Sequence, residues 1–291
     1  MSTAQPAPPV DWQLPDELLI DAAMARRIIV RFIGGHMAQT GFERAVLGLS
    51  GGIDSALVAY LTAEAIGAPN LLCLMMPYRT SSPASRADAE AVVADLGCAS
   101  AVVDITPIVD GYFEASLGGA DEPTNLRRGN FAARARMAVL YDHSVTWRGL
   151  VMGTSNKTEA LLGYTTIFGD NAAALQPIGD LYKSQVRQLS AAIGVPEAIL
   201  RKPPTADLWA GQTDEQEVGL AYSEIDRLLY WMVDRRRSTH ELQATGFEAA
   251  KVERVASLVA GSEFKRQVAP VAKLSVRTPG VDYLYPRRRP R

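Results

Sequence analysis

Four short apolar runs, separated by stretches with helical spacing, set the pattern of this chain. Ala45–Leu49, Leu71–Met76, Ala101–Ile105 and Leu150–Met152 read as strands, and Leu71–Met76 is apolar at every position and of strand length. Runs of that kind suit parallel strands buried on both faces. Between them, apolar residues recur at helical intervals. The first such stretch is Asp16–Gln39, with Leu19, Ala23, Ile28 and Phe32 among its apolar positions and Gly41 to end it. Others are a helix ending near Gly67, Ala84–Leu96 with Ser82 placed to cap it, Ile108–Leu117 and Asn125–Tyr141. Strands alternating with helices predict an α/β fold with a doubly wound parallel sheet. In such sheets ligands bind beyond the carboxyl ends of the strands. After Glu159 the alternation stops. Helices at Tyr182–Ile193, Tyr222–Arg236 and Glu248–Ala260 predict helical additions at the C-terminal side.

No linker divides the chain. We expect a flexible arm over residues 1–13, one domain over 14–286 and a basic tail over 287–291. Composition changes this picture little: 47% of residues are hydrophobic, 21% are charged, and the formal net charge is −2. That balance gives no general reason to expect a nucleic-acid partner. We expect no signal peptide and no membrane span, since neither pattern is visible in the sequence. Cys73 and Cys98 show no paired spacing, which suits a reducing, cytoplasmic location.

The candidate chemistry lies where the first strand turns into a helix: Gly48-Leu49-Ser50-Gly51-Gly52-Ile53-Asp54-Ser55. Two glycines allow a sharp turn and close approach of a ligand to the backbone. Free N–H groups and the positive helix end point at that ligand, and two serines add hydroxyls. The result is a phosphate cradle. It is neither a Walker A loop nor Gly-x-Gly-x-x-Gly. Asp54 is the odd member, because a carboxylate beside phosphates is tolerated only with a cation between them. It therefore implies Mg²⁺. A plain helix start capped by Ser50 would explain Ser50 and Asp54, but not the doubled glycine.

The wording Ser-Gly-Gly-Ile-Asp-Ser resembles the pyrophosphate loop of the N-type ATP pyrophosphatases. Later stretches are similar to NAD synthetases specifically. These are Asn130-Phe-Ala-Ala-Arg134-Ala-Arg136, Gly153-Thr-Ser-Asn-Lys-Thr-Glu159, Gly163-Tyr-Thr-Thr-Ile-Phe-Gly-Asp170, Asp180-Leu-Tyr-Lys183 and Pro203-Pro-Thr-Ala-Asp-Leu-Trp-Ala-Gly-Gln-Thr-Asp-Glu215. They run in the family's order through most of residues 44–270. The resemblance implies a Rossmann-like domain of the adenine nucleotide alpha hydrolase kind. It also implies a homodimeric ligase that amidates deamido-NAD to NAD with ATP and Mg²⁺. It assigns Gly48 to Ser55, Thr154, Lys183 and Thr205 to ATP, Asp54 and Glu159 to the metal, and Asn130, Arg134 and Lys265 to deamido-NAD. Asp54 and Lys183 take the catalytic roles. Without the resemblance, Glu159 and Lys183 would read as exposed helix residues and Thr154 and Thr205 as cap or turn residues. His36, His143 and His240 fall in no motif.

The implied chemistry activates a carboxylate, a poor electrophile, as an acyl-adenylate, which ammonia then attacks. Residues 78–83 and 203–215 are expected to act as lids that exclude water. Two departures concern the dinucleotide side. Ammonia-using members typically carry lysine at the position of Ile167 and aspartate at that of Ala174, and often His-Lys where this chain has Phe264-Lys265. The stretch Phe264-Lys265-Arg266-Gln267 looks like that of glutamine-dependent members. Only one helix and a short arm precede residue 44, so ammonia is the expected nitrogen donor, with a separate amidase partner as a further option. A related ligase acting on another carboxylate and a non-catalytic nucleotide-binding module are the rival classes.

Overall fold

A computed structural model describes residues 16–117, 123–204, 218–278 and 281–282. The expected arm and basic tail lie outside these residues. Four parallel strands form one sheet in the order β3-β2-β1-β4. They are β1 (Arg44–Gly48), β2 (Leu71–Met75), β3 (Ala99–Val102) and β4 (Gly149–Met152). The crossover helices are α2 (Ile53–Ile66), α3 (Pro83–Leu96), and α4 (Thr106–Leu117) with α5 (Asn125–Trp147). The doubly wound parallel sheet is therefore present.

The continuous apolar character of β1 and β2 has a direct structural cause. Side chains alternate between faces along a strand, and both faces are covered. Ala45 and Leu47 of β1, with Leu71, Cys73 and Met75 of β2, enter one core under α2 and α3. Val46, Leu72 and Leu74 enter the opposite layer, against Val139, Leu140 and Trp147 of α5. No position in the sheet centre is left for a polar side chain.

The N-terminal helix departs from expectation in two ways. The chain makes a short 3-10 turn at Asp16–Leu18, and α1 begins afresh at Ala22–Thr40. The Asp21 carboxylate accepts a hydrogen bond from Met24 N and so starts the new helix. The buried stripe is also different. Ile29, Ile33 and Met37 face α2 and α7, whereas Leu19, Ala23, Ile28 and Phe32 are exposed. The sequence carries two apolar stripes here, and packing selects one. The third strand spans Ala99–Val102, and the hydrogen bonds to the β2 side run on past it. Val103 N donates to Met75 O at 2.9 Å and Ile105 N to Pro77 O at 3.0 Å, before Ile105 O accepts from Val109 N in the turn leading into α4.

Beyond β4 come α6 (Lys157–Leu162), α7 (Lys183–Ile193), α8 (Glu197–Arg201), α9 (Tyr222–Leu229), α10 (Thr239–Ala244) and α11 (Ala249–Gly261). The expected helix Tyr222–Arg236 is α-helical to Leu229 and widens into a π-turn over Tyr230–Asp234. Leu162, Tyr182, Ile225, Leu228, Leu229, Val252 and Val255 form a second core that joins α6, α9 and α11. That core matters for the site, because α6 and α7 carry functional side chains on their first turns.

The sheet also brings the cysteines together despite their sequence spacing. Cys73 on β2 and Cys98 just before β3 place their sulfurs 3.7 Å apart as free thiols. No helix among the described residues is long and apolar enough to cross a membrane.

Candidate active site

Three helices start at the carboxyl edge of the sheet and aim their first turns at one cleft of about 810 Å³. The first is α2, entered through the Gly48–Ser55 turn. Ser50 Oγ lies 3.0 Å from Ser55 Oγ, Gly52 N donates to Ser50 Oγ at 3.2 Å, and Ser55 Oγ donates to Gly52 O at 3.0 Å. The two serines thus fold the turn into a closed cradle. Gly51 has φ of 77°, and a Cβ there would meet the Ser85 carbonyl oxygen at 1.9 Å. Only glycine fits between the cradle and the start of α3.

The second helix is α6. Asn156 caps it through a reciprocal box: Glu159 N donates to Asn156 Oδ1 at 3.0 Å, and Asn156 N donates to Glu159 Oε2 at 3.3 Å. The same Asn156 uses its side-chain N–H to hold Asp54 Oδ1 at 2.9 Å. One residue therefore orients both acidic groups. Just before it, Gly153 and Thr154 line the cleft where β4 ends, as the sheet topology requires.

The third helix, α7, begins with Lys183, whose side chain is only 4% exposed. Its ammonium lies 2.5 Å from Asp54 Oδ2 and 3.2 Å from Glu159 Oε1. Two carboxylates thus converge on a single point now held by a cation, and the group carries a formal charge of −1. Mg²⁺ is commonly held by one or two carboxylates and completes its shell with phosphate oxygens and water. The pair Asp54 and Glu159, facing the serine cradle, has the donor chemistry for such an ion.

The far end of the cleft is built differently. Asn130 on α5 accepts from Thr166 Oγ1 at 2.8 Å. Lys265 donates to the carbonyls of Gly163 at 2.7 Å and Thr165 at 2.8 Å. Burial holds the Lys265 ammonium below its usual range, and Asp170 partly offsets this. Arg134 is exposed, donates to the Ile167 carbonyl at 3.2 Å and does not itself line the cleft, although its neighbour Ala133 does. Its neighbour Arg136 lines the cleft and donates to Met76 O at 3.0 Å. Arg266 turns away and donates to the carbonyls of Ala160, Leu161 and Val259. Thr205 and most of the expected lid at 203–215 lie outside the described residues. The other expected lid segment, 78–83, contributes Ser81, Ser82 and Pro83 to the rim.

Several contributors went unnamed in the sequence. Asn156 was legible, since Asn-x-x-Glu ahead of an apolar run is a capping box. Lys202 was not. Its ammonium reaches from the end of α8 to Ser85 Oγ and Asp88 Oδ2, each at 2.9 Å, and to Gly51 O at 3.4 Å. Nothing local to residues 201–204 signals that it braces the phosphate cradle.

Known proteins with this arrangement are similar over nearly the whole chain. The NAD synthase family model matches residues 25–269. The NH₃-dependent NAD⁺ synthetase of Trichlorobacter lovleyi is 53% identical over 93% of this chain and 97% of its own length. Among solved structures, an NMN synthetase from Francisella tularensis superposes with a TM-score of 0.78 at 31% identity, over 87% of this chain and all but 1% of the other. An NH₃-dependent NAD synthetase from Campylobacter jejuni, in complex with the nitrate ion, gives 0.74 at 32% identity, over 88% of this chain and 100% of the other. Motif order, sheet topology and full-length similarity agree: the chain belongs to the NAD synthase family.

Proposed function

We propose that the protein is an ammonia-dependent NAD synthetase, which amidates deamido-NAD with ATP and releases AMP and pyrophosphate. The observation that carries this is the meeting of Asp54, Glu159 and Lys183 at the first turns of three helices, beside a preformed serine cradle. At −1 this group alone would repel ATP. With Mg²⁺ held by Asp54 and Glu159 it becomes net positive, and the ion neutralises charge on the phosphates.

The protein's own groups then have definable tasks. Ser50, Ser55 and the N–H groups of the turn hold the β- and γ-phosphates, with Thr154 across the cleft also on ATP. Lys183, whose ammonium sits where Asp54 and Glu159 converge, would offset negative charge as the nicotinate carboxylate attacks the α-phosphate. Pyrophosphate leaves through the cradle. Ammonia attacks the acyl-adenylate carbon, and AMP departs. No protein nucleophile is required, so positioning and charge compensation supply the catalysis. Asn130, Arg134 and Lys265 take the dinucleotide side. The functional unit is one domain, working in the cytoplasm as a homodimer.

A second reading has a specific observation behind it. Ile167 and Ala174 stand where a lysine and an aspartate are expected on the dinucleotide side, and one close structural relative is an NMN synthetase. Nicotinate mononucleotide would present the same carboxylate without the adenylate half. Mass spectrometry of products from Mg·ATP, ammonium and either acid decides between the two. We expect NAD, AMP and pyrophosphate from deamido-NAD, with the mononucleotide the poorer substrate. Preference for the mononucleotide would establish the second reading. Absence of ATP turnover with either acid would leave only a nucleotide-binding role.

A further inference from the structure

Asp226 lies on α9, one layer behind the cleft, and is 0% exposed. A fully buried carboxylate is costly unless its oxygens are satisfied. Both are. Oδ1 accepts from Thr158 Oγ1 at 2.6 Å, and Oδ2 accepts from Ser184 N at 2.7 Å. Thr158 Oγ1 in turn accepts from Lys183 N at 3.0 Å. Thr158 directly precedes Glu159, and Ser184 directly follows Lys183. One carboxylate and one hydroxyl therefore knit together the first turns of α6 and α7, from which the two side chains reach Asp54.

Anchoring of α9 does not account for this arrangement. Ile225, Leu228 and Leu229 on the same helix are buried in the adjoining apolar core, and Tyr222 is buried as well. An apolar residue at 226 would extend that packing without the cost of burying a charge. Burial pushes the Asp226 carboxyl up to about 6, against the opposing hydrogen bonds from Thr158 and Ser184. What the carboxylate supplies, and a methyl group cannot, is a fixed acceptor for two donors on different helices. Its negative charge also complements the positive end of α7.

We propose that Asp226 is a positioning residue for the adenylation chemistry: through Thr158 and Ser184 N it fixes the relative placement of Glu159 and Lys183. The proposal rests on the reading of the cleft as the Mg·ATP site. It predicts that Asp226→Asn, which keeps volume but replaces one acceptor with a donor, lowers kcat by about 10- to 100-fold, the range for groups that orient metal ligands. Affinity for Mg·ATP, measured by calorimetry, should fall alongside, while KM for deamido-NAD stays near wild type.

Thr158→Val should reproduce the loss, and Thr158→Ser, which keeps the hydroxyl, should restore it. The double variant Asp226→Asn/Thr158→Val should be no worse than the worse single change, because both break one network. A folded Asp226→Asn protein with wild-type kcat and Mg·ATP affinity would overturn the proposal. So would losses in the two single variants that multiply in the double. If Asp226→Asn does not fold, the Thr158 pair decides by the same two readouts: equal behaviour of the Ser and Val forms overturns it. Wild-type protein that binds Mg·ATP but makes no amide would count against the proposed reaction alone, and the calorimetric comparison would still judge Asp226.

Discussion

The two ends of the cleft are held by different means. At the cradle end, every key side chain is tied to another side chain or to a helix start. Asp54 is held by Asn156 and Lys183, Glu159 by Asn156 and Lys183, and Ser50 by Ser55. At the far end, the cations rest on backbone carbonyls: Lys265 on Gly163 and Thr165, and Arg134 on Ile167. A carbonyl is a weaker partner for a cation than a carboxylate, so a ligand anion can replace it at little cost. The first arrangement is preorganised for charge that develops during reaction. The second is a set of cations that a bound substrate can recruit. This contrast predicts that damage at the cradle end appears in turnover and damage at the far end in substrate affinity.

The largest effect should come from Lys183. Lys183→Met leaves Asp54 and Glu159 facing each other with no cation between them. Loss of a buried partner of this kind costs about 3 kcal/mol or more. Turnover should fall by about 100- to 1,000-fold, as for other fixed groups that stabilise transition-state charge. Thermal unfolding with and without Mg²⁺ sharpens the point. The ion should stabilise the variant more than the wild type, because it enters a pair of unscreened carboxylates. An equal shift for both proteins would show that the two carboxylates do not share an ion.

Asp54→Asn is the next test, and it separates chemistry from folding. The amide keeps its shape beside Asn156, and Lys183 keeps Glu159 as a partner. Stability should fall less than in Lys183→Met, since Lys183 keeps a carboxylate partner in Glu159. Turnover should drop on the order of 100-fold. Near-wild-type activity at ordinary Mg²⁺ would remove Asp54 from the metal site.

The same contrast governs what could be read from sequence. The cradle turn was legible because its parts are local: a Gly-Gly turn and an Asp on the first turn of the helix declare themselves within a few residues. Glu159 and Lys183, by contrast, stood out only through the family resemblance, and the capping box of Asn156 went unread. Buried parallel strands were legible for a similar reason, since Leu71–Met75 is apolar at every position. Asp226 and Lys202 were not legible. Each acts on residues 42 or more positions away through tertiary packing, and neither sits in a local pattern that differs from an ordinary helix face or loop. In α1 the failure was one of choice between two apolar stripes, where only contact with α2 and α7 breaks the tie. Bringing Cys73 and Cys98 together likewise depends on β2–β3 pairing and leaves no trace in their spacing.

At the far end, Lys265→Met should raise KM for deamido-NAD on the order of tenfold. That is the loss expected of one charge-assisted hydrogen bond worth about 1.5 kcal/mol. KM for ATP and kcat should move far less. Arg134→Ala should follow the same pattern, more weakly, because its guanidinium is exposed and screened. Equal effects on both substrates would dissolve the distinction between the two ends. Ile167→Lys adds the lysine typical of the family. If this chain holds the dinucleotide through Lys265 and Arg134 in its own way, the added charge will not improve KM.

The smallest effect should come from the cysteines, and it tests the nitrogen donor. Glutamine hydrolysis would need a reactive thiolate with access to solvent and a path to the cleft. Cys73 has no exposed surface, and the Cys98 thiol beside it holds it protonated by pushing its pKa up. Cys98 is partly exposed and its pKa is lowered by the Cys73 thiol, so it is the one that an alkylating reagent should reach first. Neither residue lines the cleft. Alkylation of Cys98 by iodoacetamide, followed by mass spectrometry to confirm the site, should therefore leave ammonium-driven NAD synthesis unchanged. The purified chain should make no NAD with glutamine as sole nitrogen source, before or after treatment. Glutamine-driven synthesis that alkylation abolishes would place an amidase function on one of these thiols. Ammonium-driven synthesis lost on alkylation would mean that the β2–β3 edge moves during turnover, and the rigid cradle inferred from Ser50, Asn156 and Lys183 would have to include it.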